Sequence, residues 1–146
     1  MFGDFLKRLT APTPAQLPDE DARLTLTALL VRVARTDGHY ANSEKQQIDA
    51  AISKRYNLSA ADMAELRSNA ETLETEAPDT VRFTRAIKDA VAYDDRLGVI
   101  EALWSVVLAD GKRTNEENAM LRLVASLLGV DDMDNNLARK RVQAQQ

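Results

Sequence analysis

At 146 residues, 45% hydrophobic and 29% charged, the chain has the size of one globular domain able to bury about two-thirds of its unfolded surface. With no cysteine, disulfides, thiolate zinc sites, iron-sulfur clusters and thiol nucleophiles are excluded together, which suits a reducing cytosol. A net charge of -4 with a pI near 5.0 argues against a nucleic-acid binder. The lack of any apolar run of about 20 residues or of a secretory segment predicts a soluble, cytoplasmic protein.

Five glycines and four prolines, set against many Ala, Leu, Glu, Arg and Gln, predict an all-α chain. Residues 2–9 place Phe2, Phe5, Leu6 and Leu9 on one face of a short amphipathic helix, with Lys7 and Arg8 opposite. Three readings stay open for it: docking on the rest of the chain, burial in a homodimer, or peripheral contact with a membrane surface. Pro12, Pro14 and Pro18 then break the periodicity, so residues 1–18 read as a helix and linker ahead of a helical domain over 19–146.

A helix over about 20–37 carries Leu24, Leu26, Leu29, Leu30, Val31, Val33 and Ala34, leaves almost no polar face, and closes at Asp37-Gly38. The next, over 43–56, opens on Asn42 and Ser43, with Gln46 at capping-box spacing, and buries Ile48, Ala51, Ile52 and Tyr56. Leu58 joins that core. Ser59 with Asp62 starts a helix to about 76 whose many Glu and sparse Met63, Leu66 and Leu73 read as an outer, largely solvated element stopped by Pro78.

Asp79 or Thr80 opens an amphipathic helix holding Phe83 and Ile87. Asp94 caps a second apolar helix with Leu97, Val99, Ile100, Leu103, Trp104, Val106, Val107 and Leu108, which ends at Asp110-Gly111. Trp104 reads as core. Thr114 with Glu117 starts a helix whose Leu121, Val124, Leu127 and Leu128 are buried and which Gly129 closes. A last helix over about 132–142 offers only Leu137 and Val142 and is expected to dock weakly.

The two Asp-Gly pairs stand 73 residues apart (110 − 37), and the same offset matches Asn42 with Asn115, Glu44 with Glu117 and Ile48 with Leu121. The prediction is a compact bundle of about seven helices with an internal pseudo-two-fold repeat of helix, Asp-Gly loop, helix units.

These residues resemble the tellurite-resistance TerB-like domains. The likeness runs from Ala109-Asp110-Gly111 through Glu117 to Leu127, Leu128 and Gly129. The first copy keeps Asp37, Gly38 and Glu44 but has Arg35-Thr36 where such domains often have small residues. The resemblance covers roughly residues 20–130. It implies a helical bundle tied to stress or tellurite responses, in which acidic residues have been proposed to bind metal. A related domain occurs in membrane-anchored DnaJ-like co-chaperones.

Asp37, Glu44, Asp110 and Glu117 are the candidate metal ligands, for a hard divalent cation such as calcium or magnesium. The alternative makes the acids capping groups at helix N-termini and the glycines plain terminators. Asp37 and Asp110 end helices, where a negative charge costs about 0.3–1 kcal/mol, so each calls for an offsetting group. Neither loop has the EF-hand spacing. His39 is the lone histidine and reads as solvated.

Without a nucleophile elbow, phosphate-binding glycine loop or dinucleotide fingerprint, the expectation is a non-enzymatic module that engages a protein partner. The competing expectation is an adaptor that uses residues 2–9 to reach a membrane or partner, without metal.

Overall fold

The computed structural model describes residues 2–9, 19–35, 40, 42–77, 79–108 and 115–144. Among these there are eight helices and no strand: α1 (Gly3–Leu9), α2 (Asp19–Ala34), α3 (Asn42–Tyr56), α4 (Ala60–Glu76), α5 (Thr80–Ala90), α6 (Tyr93–Leu108), α7 (Asn115–Leu127) and α8 (Asp132–Ala144). The linker expected around Pro12, Pro14 and Pro18 lies outside the described residues, as do Thr36–His39 and Ala109–Thr114.

Local chemistry explains where several helices start and stop. Ser59 is extended and its side chain accepts the Asp62 amide at 3.1 Å, satisfying one of the free donors at the start of α4. Asp79 serves α5 likewise, accepting the Arg82 amide at 3.0 Å. At the end of α7, Gly129 takes φ 73°, and the Val130 amide reaches back to the Ala125 carbonyl at 2.9 Å.

The end of α3 is built in the same way without a glycine. Asn57 has φ 55°, and the Leu58 amide bonds the Ser53 carbonyl at 3.1 Å; asparagine is among the few side chains that tolerate this backbone. Asp94 is not the cap of α6: the amides of Asp95 and Arg96 both return to the Ala92 carbonyl, and Asp94 sits inside the first turn. There its charge still favours the helix N-terminus.

The core forms around α2 and α6. In α2, every residue from Thr25 to Val31 is buried, as are Val33 and Ala34. Thr25 and Thr27 enter this apolar environment because their hydroxyls donate to the carbonyls of Asp21 and Arg23 one turn back, at 2.8 and 2.6 Å. The helix is enclosed by α3, α4, α5, α6 and α7. In α6, Val99, Ile100, Leu103, Trp104 and Val107 are buried against α2, α3, α7 and α8.

Two expectations are corrected. Although α4 is solvated over much of its surface, it is a principal packing partner of α2, into which it presses Met63, Ala70 and Leu73. Three residues spaced by seven and three lie on one stripe, enough to close one side of a core helix.

The second correction concerns α8, which docks firmly on α6 and uses only one of the two residues expected, Val142. Leu137 is 44% exposed, while Asn135, Ala138 and Val142 face inward. Trp104 Nε1 donates to Asn135 Oδ1 at 2.9 Å, Tyr93 donates its hydroxyl to Asp134, and Arg141 pairs with Glu101 at 2.7 Å. A buried indole N–H needs an acceptor, so the asparagine takes the inner position and the leucine is turned out.

Helix α1 lies against α5, with Phe5 buried and Phe2 and Leu6 packed on the core; the Phe2 amide donates to Glu76 at 3.0 Å. Of the three readings open for this helix, the docked arrangement is the one present in the structure. No helix among the described residues is long and apolar enough to cross a membrane.

These positions give opposite expectations for two similar substitutions. Leu73→Ala should lower unfolding stability by about 2–5 kcal/mol, because it opens a cavity between α4 and α2. Leu137→Ala should stay within about 0.5 kcal/mol. Urea denaturation of both variants measures the contrast, and comparable losses would contradict the packing described for α4 and α8.

Candidate functional site

The acidic quartet is only partly within the described residues. Glu44 is half-buried in the first turn of α3, third from its start. Glu117 holds the corresponding position in α7, although its side chain lies outside the described residues. Asp37, Asp110 and His39 fall outside them as well. Among the described residues, no group of three or more His, Cys, Asp or Glu is placed to hold a metal ion.

The two helices that carry Glu44 and Glu117 have related surroundings. α3 starts at Asn42 and α7 at Asn115, 73 residues later (115 − 42). Each follows an apolar helix on which it packs, α3 on α2 and α7 on α6, and each also touches the other apolar helix. A third helix completes each set, with α4 on α2 and α8 on α6.

The approach to the first Asp-Gly loop is held by charge. Arg35, just past the end of α2, donates to Glu74 Oε2 at 2.7 Å, and Arg32 reaches Glu74 Oε1 at 3.2 Å and the Glu74 carbonyl at 3.1 Å. Two guanidiniums at a helix C-terminus are well placed for its partial negative charge. This gives Arg35 a definite role where the sequence departs from the small residues of similar domains: it ties the end of α2 to α4.

Tyr40 is the first described residue after the Asp37-Gly38 pair. Its ring lies between the Arg35 guanidinium and the Lys45 ammonium, each 5.0 Å from the ring centroid. The hydroxyl is buried without a well-aligned hydrogen bond. Burial first, and the nearby Glu71 carboxylate second, push the phenol up to about 12. Beneath it, Arg67 bonds Asp49 at 2.8 Å and Glu71 at 3.4 Å, joining α3 to α4.

Sequence reasoning passed over Tyr40 and this ion-pair network. An aromatic in an otherwise polar loop, between Gly38 and Asn42, was the available signal for Tyr40. The network had a weaker one, Arg67 and Glu71 at helical spacing, since Asp49 lies on a different helix.

A family model described as Tellurite resistance protein TerB matches residues 23–140, most of the chain. No curated protein and no solved structure gives a significant match.

The Tyr40 environment generates a pH prediction. Its folded-state value lies above the ordinary 10.0, so the contribution of the protonated phenol to stability is complete below about pH 10 and disappears as pH rises through about 12. Ultraviolet titration of Tyr40→Phe against the unchanged protein should remove a phenol ionising near 12, and loss of a step near 10 would show that the hydroxyl is solvated. At neutral pH the same variant should unfold at nearly unchanged denaturant, because the hydroxyl it loses has no well-aligned bond.

Proposed function

The chain belongs to the TerB tellurite-resistance family, and on that premise we propose that it is a non-enzymatic, cytoplasmic stress-response module that acts through contact with a protein partner. In this reading Asp37, Glu44, Asp110 and Glu117 form an acidic face that takes a divalent cation, calcium or magnesium. The observation that carries it is the matched placement of Glu44 and Glu117, each third in a helix that follows an Asp-Gly loop and packs against both apolar helices.

The donor set fits this chemistry. Carboxylates are hard oxygen ligands that suit calcium and magnesium, and the chain has no thiolate and one histidine to attract softer metals. A cation would also offset the charge of two aspartates expected at helix C-termini. The adaptor reading for residues 2–9 has less in its favour, since Phe2, Phe5 and Leu6 are already packed against the core.

Titration calorimetry of calcium, magnesium, zinc and manganese into metal-stripped protein tests the proposal. Saturating heat with calcium or magnesium is expected, together with a thermal stabilisation of about 2.7 kcal/mol at a hundredfold excess over the dissociation constant. Asp37→Asn combined with Asp110→Asn should abolish both while leaving the helical content intact. Absence of heat and of thermal shift with every ion removes the metal from the function.

A further inference from the structure

The two halves differ sharply in what closes the groove between their second and third helices. In the first half, Arg67 of α4 bonds Asp49 of α3 at 2.8 Å, and Met63 is buried beneath. The 73-residue register places Arg122 opposite Asp49 (122 − 49), Lys140 opposite Arg67 (140 − 67) and Asn136 opposite Met63 (136 − 63). In that register two cations correspond to the ion pair and a carboxamide to the apolar plug; Arg122 and Asn136 line the cavity described next, where Arg139 rather than Lys140 supplies the second cation.

A half-enclosed cavity of about 160 Å³ lies there, lined by Trp104, Asn118, Arg122, Asn135, Asn136 and Arg139. The α7 and α8 helices each contribute an asparagine and an arginine one turn apart, Asn118 with Arg122 and Asn135 with Arg139, while α6 supplies Trp104. Neither arginine makes an ion pair among the described residues, although other arginines of the bundle do. The Arg139 guanidinium lies 5.9 Å from the indole centroid, and its Nε is buried with no hydrogen-bond partner.

The bonding capacity left over in this cavity is mainly that of donors. The Trp104 indole N–H occupies Asn135 Oδ1, which leaves the Asn135 amide nitrogen free to donate beside the two guanidiniums. A buried, unpartnered donor is costly, and guanidinium forks match the paired oxygens of an oxyanion. At about 30 Å³ per water in the liquid, the space admits one small anion with a few waters.

We propose that this cavity between α6, α7 and α8 is a binding site for a small oxyanion of phosphate size, gripped by Arg122 and Arg139 over the face of Trp104. The site is separate from the acidic quartet and does not rest on the metal reading. A cationic cavity on a chain of net charge -4 is a local feature, distinct from a generally basic surface.

The only tryptophan of the chain is in the site and reports on it. Inorganic phosphate is titrated into the full chain at ionic strength held constant with sodium chloride, while Trp104 fluorescence and the indole N–H resonance are followed. A saturable change in both is expected. Arg122→Gln and Arg139→Gln should each weaken the apparent affinity by about tenfold or more, whereas Arg85→Gln, on the exposed face of α5, should leave it unchanged.

Arg122 is itself exposed, so its variant remains decisive even if Arg139→Gln unfolds the chain. The proposal is overturned if phosphate has no saturable effect on the indole, if chloride alone reproduces it, or if Arg85→Gln weakens it as much as Arg122→Gln does.

Discussion

Two helices with little polar face, Asp19–Ala34 and Tyr93–Leu108, can be kept from water only if other helices close around each of them. Most of the architecture follows from that need. Each buried Leu, Ile, Val or Phe side chain contributes about 1.5–3 kcal/mol relative to exposure, and the fully buried set includes Leu26, Leu29, Leu30, Ile100 and Leu103 from these two helices. The amphipathic helices around them are coverings, and even α4, with its many glutamates, supplies Met63, Ala70 and Leu73 to the task.

Enclosure by amphipathic helices has an electrostatic consequence. Charged side chains line the seams between helices, where they are partly shielded and bind one another more firmly than at an open surface. Glu74 collects Arg32 and Arg35 at the seam of α2 and α4, and Asp49 with Arg67 crosses from α3 to α4. Arg96 donates to the Leu128 carbonyl and so serves the C-terminus of α7 from α6. Against this background, the seam of α7 and α8 stands out because Arg122 and Arg139 meet no carboxylate there among the described residues.

Much of the fold was legible because its signals are local. Ser59, Asp79 and Gly129 act where their spacing placed them, and the apolar stretches of α2 and α6 are buried as their composition required. Failures arose where two elements decide together. Leu137 was misjudged because apolarity alone sends leucine inward, whereas the indole of Trp104 needs an acceptor and Asn135 takes the inner position. Asp94 was misplaced by two residues, since it is the Ala92 carbonyl that accepts the first amides of α6. Of the candidate metal site, the sequence supplied the residue types and spacing, and the helices place Glu44 and Glu117 at matching positions.

By itself the sequence determined that the chain is helical, where most helices begin and end, and which two must be central, because caps, terminators and apolar periods act within a few residues. Only the tertiary structure decided which charges are neutralised between helices and which remain unpaired, how Tyr40 is held between Arg35 and Lys45, and that Trp104 floors a polar cavity. Those outcomes depend on how far each helix rotates about its own axis against its neighbours. That angle is fixed by the fit of side chains distant in sequence, and no pattern within a single helix contains it.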